Sequence, residues 1–285
     1  MKKFLLLGTV AVAVLFSSNI RAGGEKKSPE YGWKNQLVGT LNISQTSLDN
    51  WVQGGENTFA WQLDVLGHFE NDREPFNWTS TTKLSYGMSR IGEAEARKSV
   101  DEIRFESVYR RKLGWFVDPY GAFRLETQLT KGYTYSNDTR TAVSDFWDPA
   151  YLVESVGFGF QPASFVKSRI GAALKQTLTR NFSALYSDDP NTPEIEKVRS
   201  EVGVESVSDI SKKFAENMLY TAKLQLFSNL KGIREVDVRW DNLVTAKLTK
   251  IVNVTLDFRL FYDRDVSKKR QIRQALLIGL SYSFL

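Results

Sequence analysis

Gln274-Ala-Leu-Leu-Ile-Gly-Leu-Ser-Tyr-Ser-Phe-Leu285 is the stretch that decides how the rest of the chain is read. Side chains alternate along a strand, so Leu276, Ile278, Leu280, Tyr282 and Phe284 share one face. Ala275, Leu277, Gly279, Ser281, Ser283 and Leu285 share the other. One side is apolar and ends in aromatics; the other is mostly small. This pattern suits a wall whose outer side meets hydrocarbon.

The same alternation recurs upstream from Leu37. Phe59, Trp61, Leu63 and Val65 oppose Gln62, Asp64 and His68, and Ile103, Phe105 and Tyr109 oppose Glu102, Arg104, Glu106 and Arg110. Val252, Val254, Leu256, Phe258, Leu260 and Tyr262 oppose Asn253, Thr255, Asp257 and Arg259. About twelve such segments fit between Leu37 and Leu285, an even number as closed membrane barrels require. Short connections at Asn71–Asn77, Lys112–Asp118, Gln161–Ala163, Ser211–Asn217 and Thr249–Lys250 are expected on the periplasmic side. The opposite connections are mostly longer, notably Lys131–Ala150 and Arg180–Lys197. The expected fold is all-β: one transmembrane antiparallel β-barrel of about 12 strands over residues 33–285, with both termini periplasmic.

The first 22 residues read differently. Lys2 and Lys3 precede an apolar run from Phe4 to Phe16, and Ser17, Ser18 and Ala22 follow as small residues. That run is too short to span a bilayer and suits a signal peptide cleaved near Ala22, with 23–32 a short periplasmic segment. Losing Lys2, Lys3 and Arg21 takes the 38 basic residues to 35 against 33 acidic ones, a net charge of +2. So balanced a chain has no basic excess for nucleic acid phosphates, and no nucleic acid partner is expected. With no cysteine there is no disulfide scaffold, thiolate metal site or lipoprotein anchor. No metal or other cofactor is expected.

A magnitude chooses the lipid face. An outward Lys or Arg at mid-membrane costs about 2–4 kcal/mol. Slipping the register by one residue would turn Lys83, Arg104, Arg124, Arg169, Lys175, Arg239 and Arg259 outward. Together they cost on the order of 10 to 30 kcal/mol. Charges therefore point inward, and only Glu154 and Arg270, placed near strand ends, break the pattern. Trp61, Trp78, Tyr86, Tyr109, Trp240, Tyr262 and Tyr282 suit the aromatic girdles of a membrane barrel, which a soluble sandwich does not need.

Several segments resemble an uncharacterised outer-membrane barrel family of Gram-negative bacteria, known only as a domain of unknown function. They are Asn50-Trp51 with Gly54-Gly55-Glu56-Asn57, Asp148-Pro149-Ala150-Tyr151 leading to Gly157, Leu226-Phe227-Ser228-Asn229, and Val236-Asp237-Val238 with Trp240. Gly279, Tyr282 and Phe284 are also similar to the closing strand of porin-type barrels. The resemblance implies a single barrel in the cell outer membrane, with those three residues as the insertion signal read by the barrel insertion machinery. It implies no activity.

The expected lumen set is Arg104, Glu106, Arg124, Glu126, Arg169, Lys175, Glu201, Asp237, Arg239, Asp257 and Arg259, with Glu102, Lys167, Arg199 and Glu205 on the same face. Such residues either line a narrow aqueous path or fill the interior with salt bridges. The leading expectation is a narrow passive channel for small hydrophilic solutes, with outer-membrane lipid as surroundings and oligomeric state open. The alternatives are a closed structural barrel that partners an envelope assembly and, further off, a barrel hydrolase acting on lipid or lipopolysaccharide.

No catalytic residue is assigned. His68 is the single histidine, and Ser80 falls on the opposite face, so a His–Ser pair is not expected. Trp51 with Gly54-Gly55 suits a tight hairpin at the interface. The carboxylates of Ser187–Glu196 lack calcium-loop spacing.

Overall fold

The computed structural model describes residues 31–49, 52–136, 139–188, 192–232, 235–264, 267 and 269–285. The expected signal peptide, Asn50-Trp51 and residues 189–191 of the acidic loop lie outside them.

Among the described residues, fourteen strands and one short helix follow one another along the chain. They are β1 (Gly32–Thr46), β2 (Thr58–Asp72), β3 (Phe76–Ile91), β4 (Arg97–Arg111), β5 (Val117–Thr127), β6 (Gly132–Ser136), β7 (Thr139–Ser144), β8 (Ala150–Ala163), β9 (Val166–Leu178), α1 (Ser183–Tyr186), β10 (Val198–Ala215), β11 (Met218–Asn229), β12 (Val236–Lys247), β13 (Val252–Tyr262) and β14 (Gln271–Ser283). Twelve of them form a closed antiparallel barrel, in the order β1-β14-β13-β12-β11-β10-β9-β8-β5-β4-β3-β2. β6 and β7 make a separate hairpin. The expected strands are all present.

The interior is inverted relative to a soluble protein. Among the described residues, 27 buried residues are polar or charged and 13 are apolar. Leu41, Ile43, Leu63, Val156, Phe158, Ile170, Leu256, Leu276, Ile278 and Leu280 are exposed on the outside. Hydrocarbon is the solvent that makes this arrangement stable, because closure leaves no unpaired edge around most of the wall. This is a transmembrane β-barrel. Glu154 faces outward, opposite Leu174 and Phe123, as its parity requires.

Several expectations about connections need correcting, among them Gln161–Ala163, which lies within β8 and leaves Ser164 and Phe165 as the turn. β10 continues through Ser211 to Ala215, so the turn expected at Ser211–Asn217 shrinks to Glu216 and Asn217. Asn71 and Asn77 likewise belong to β2 and β3. The polar residues there break the apolar alternation, but their backbones still pair, and at a membrane boundary a polar side chain costs little. The Lys131–Ala150 loop is not plain loop: it holds the β6–β7 hairpin, braced by Arg140 over the Tyr133 ring at 3.7 Å and Arg97 over Tyr135 at 4.1 Å.

The wall is not joined equally all round. β1 pairs with β2 over fifteen residues but with β14 over only five, from Val38↔Ser283 to Asn42↔Gly279. A Cβ at Gly279 would run into Asn42 Oδ1, so glycine is what permits this approach. Across the barrel, Tyr120 packs inward where a Cβ on Gly171 would meet its hydroxyl, so an aromatic fills the space above a side-chain-free stretch.

Candidate functional site: a charged septum beneath an outer vestibule

Most of the residues expected at the lumen are brought together in the fold. Glu102 on β4 is the hub. Its Oε1 accepts from Arg104 at 2.7 Å, Arg239 at 2.7 Å and Arg259 at 3.2 Å, and its Oε2 accepts from Lys83 at 2.8 Å. Asp241 on β12 faces Arg104 at 3.1 Å, Arg239 at 3.2 Å and Arg259 at 2.5 Å. Arg239 also reaches Glu126 on β5 at 2.5 Å.

The ring order gives these distances their meaning. β4 and β12 are six strands apart in a ring of twelve, so they stand on opposite walls. Side chains from opposite walls in direct hydrogen-bond contact bridge the lumen at that level. The inward residues form a septum.

A second layer lies nearer the end of the barrel that carries both termini, where Glu106 takes Arg169 at 2.5 Å and Lys223. Arg124, which reaches Glu205 at 2.6 Å, lines the cavity described below. A third cluster sits toward the opposite end: Lys175 binds Asp237 at 2.6 Å, Asp263 at 2.9 Å and Glu201 at 3.6 Å. Asp257 stands apart from these layers, buried and 3.6 Å from Arg273. Each cluster neutralises charges that could not remain buried alone.

Above the septum is a cavity of about 390 Å³. Tyr151, Val153, Phe227, Phe261 and Tyr186 supply its apolar surface; Arg124, Glu126, Arg239 and Arg259 belong to its floor. A neighbouring cavity of about 270 Å³ shares Glu126, Tyr151 and Arg259.

The long outer loops are folded over this end. The Asp148 carboxylate accepts the Arg180 N–H at 3.0 Å and the Asn181 N–H at 2.7 Å, tying the segment after β9 to the segment before β8. Thr179 Oγ1 meets Ser183 Oγ at 2.8 Å and Ser187 Oγ at 2.6 Å, which shapes the turn of α1. Tyr186 thereby reaches the cavity, and burial, then the Asp148 charge, push its phenol up from the ordinary value. The Phe146 N–H donates to Asp145 at 2.8 Å, and with Lys131 nearby this holds the Asp145 carboxyl below its usual range. Trp147 takes a φ of 58°, an uncommon backbone state for a bulky residue.

His68 faces the lumen, its Nδ1 3.3 Å from Thr81 Oγ1. Ser80 faces out and meets Ser107 at 3.0 Å. Tyr282 and Phe284 lie outside with ring centroids 4.9 Å apart, one turn of the pleat from Gly279.

Asp241, Lys223 and Lys83 have the right parity in the sequence, but alternation does not show that Asp241 and Lys83 complete the septum or that Lys223 joins Glu106 in the second layer. Asp263 lies just beyond the end of β13, where continuing the alternation from Arg259 and Phe261 would have found it.

Residues 43–133 match a family described as "Protein of unknown function (DUF3078)". No curated protein matches the chain. Among solved structures, it is similar to the translocator domain of the autotransporter NalP from Neisseria meningitidis, at 9% identity over 88% of each chain with a TM-score of 0.40. The NanC porin shares 10% identity over 87% of this chain and 98% of that one, also with a TM-score of 0.40. An outer membrane channel from Pseudomonas putida F1 shares 8% over 93% and 99%, with the same TM-score. The strand pairing of the chain itself, rather than these scores, carries the fold.

Proposed function

We propose that this protein is an outer-membrane channel for small hydrophilic solutes whose lumen is shut at rest by the septum. The observation that carries the reading is the direct contact of Glu102 and Arg104 on β4 with Arg239 and Asp241 on the opposite wall. The narrow passive channel expected from the inward charges is read here as a gated one. Charged rings select solutes only when water reaches them, so permeation requires the β4 and β12 arms to separate. The chain works here without chemistry of its own. It is exported by residues 1–22, cleaved near Ala22, and inserted through a signal that includes Gly279, Tyr282 and Phe284.

Planar-bilayer recording tests the gate. The wild-type barrel should be almost silent. The triple variant Glu102→Ala, Arg104→Ala, Glu106→Ala, checked for folding by heat-modifiable gel migration, should give steady steps. Glu102→Gln, which keeps side-chain volume, should give brief ones. A standing wild-type conductance, or folded variants that both stay silent, overturns the reading.

Silence in all three would favour the second reading, a closed barrel that partners an envelope assembly. Trp115 and Phe116 support that reading: they are 83% and 74% exposed at the periplasmic turn between β4 and β5. Copurification of a stable partner, lost in Trp115→Ser, is its test.

A further inference from the structure

We propose that the outer vestibule is a binding site for a neutral saccharide of one or two rings; this names the solute class of the channel reading and rests on it. At about 390 Å³ the cavity falls in the range of about 300–1,000 Å³ found for small-molecule sites. Its chemistry narrows the ligand further.

Four cations line it, Arg124, Lys175, Arg239 and Arg259, and four acids, Glu126, Glu205, Asp237 and Asp263. Every cation already has an acid beside it: Arg124 with Glu205 at 2.6 Å, Lys175 with Asp237 at 2.6 Å, Arg239 with Glu126 at 2.5 Å, and Arg259 with Asp241 at 2.5 Å. A charged ligand would have to displace one of these partners and leave a buried charge uncompensated. A hydroxyl need not. It donates and accepts at once, so it can bridge a guanidinium N–H and a carboxylate oxygen while both stay paired.

Two donors carried by residues of the cavity lining lack a partner. Arg124 Nη1 and Gln225 Nε2 are buried and hydrogen-bond to nothing within the protein, and Gln225 is only 7% exposed. Orphaned donors in a lined cavity are costly unless something occupies it. Opposite them, Tyr151, Tyr186, Phe227 and Phe261 offer apolar ring surface, which suits the C–H faces of a pyranose better than the uniformly polar surface of an inorganic ion. Tyr186 comes from the loop held by Asp148, so the site is roofed as well as floored.

Isothermal titration of the detergent-solubilised full-length barrel tests this, with maltose as the probe and glycylglycine and citrate as the zwitterionic and anionic comparators. Maltose should bind saturably and the comparators should not. Gln225→Leu removes a donor and Tyr186→Ala removes part of the roof without touching the wall; each should weaken maltose binding by about tenfold, the size expected for one buried hydrogen bond or one ring contact. Non-saturating maltose heats, binding only of a charged comparator, or unchanged affinity in both folded variants overturns the proposal. If maltose binds as expected but the β4 triple variant never conducts, the channel reading fails and the site stands.

Discussion

Replacing Glu102 by glutamine removes one charge from the most crowded point of the lumen. Four cations surround that carboxylate, Lys83, Arg104, Arg239 and Arg259, and only Glu126 and Asp241 would remain to balance them. Glu102 is 5% exposed, so water cannot easily take over. Breaking a buried pair by deleting one partner costs about 3–5 kcal/mol, and the local excess of positive charge places this site toward the upper end. The surface pair Arg140–Glu95, 3.5 Å long and exposed on both sides, serves as the internal control: Glu95→Gln should cost at most about 1 kcal/mol. The assay is reversible urea unfolding of the barrel in lipid vesicles, followed by tryptophan fluorescence. A loss for Glu102→Gln as small as that of the control would refute the reasoning, because it would mean the septum is wet and its charges are screened.

Leu256→Arg puts a charge on the outer face near the middle of β13 and should cost about 2–4 kcal/mol in the same vesicle assay. Gly279→Val should lower the yield of folded, heat-modifiable protein, since the added branch has no room beside Asn42; the expected loss is about 1–3 kcal/mol. Asp148→Asn leaves one carbonyl oxygen where two carboxylate oxygens held Arg180 and Asn181. It should speed protease cleavage within 179–197, with a local loss of about 1–3 kcal/mol. Asp145 binds its proton less readily in the fold than in the unfolded chain, so its contribution is complete above the ordinary carboxylate value. That contribution is lost as pH falls through the lower folded value, and a titration of the Phe146 amide resonance should have its midpoint below that of a model aspartate.

What could be read from residues alone was set by the solvent on each side of the wall. Hydrocarbon punishes an outward charge so heavily that the parity of Arg104, Arg239 or Asp257 follows from alternation without any knowledge of partners. Partner identity does not follow. Glu102 and Arg239 are 137 residues apart, and their meeting depends on strand stagger and on the reach of an arginine across the lumen. Whether the lumen is open or spanned was therefore undecidable from the pattern. Outside the membrane the constraint disappears: Tyr133 and Tyr135 alternate as well as any barrel strand, yet nothing in the sequence marks them as one arm of a separate hairpin. α1, at four residues, is too short to show a period. The strand end at Ala215 was missed because polar residues near an interface carry little penalty either way.

The five-residue join between β1 and β14 has a mechanical consequence. A ribbon rolled into a cylinder parts where the fewest rungs hold its margins, and every other junction in this wall has at least eight registered pairs. Opening of the closed wall is therefore expected first at that clasp, beside Asn42 and Gly279. Its two margins are the first and last strands of the wall, so the tube can be sealed only after β14 has arrived.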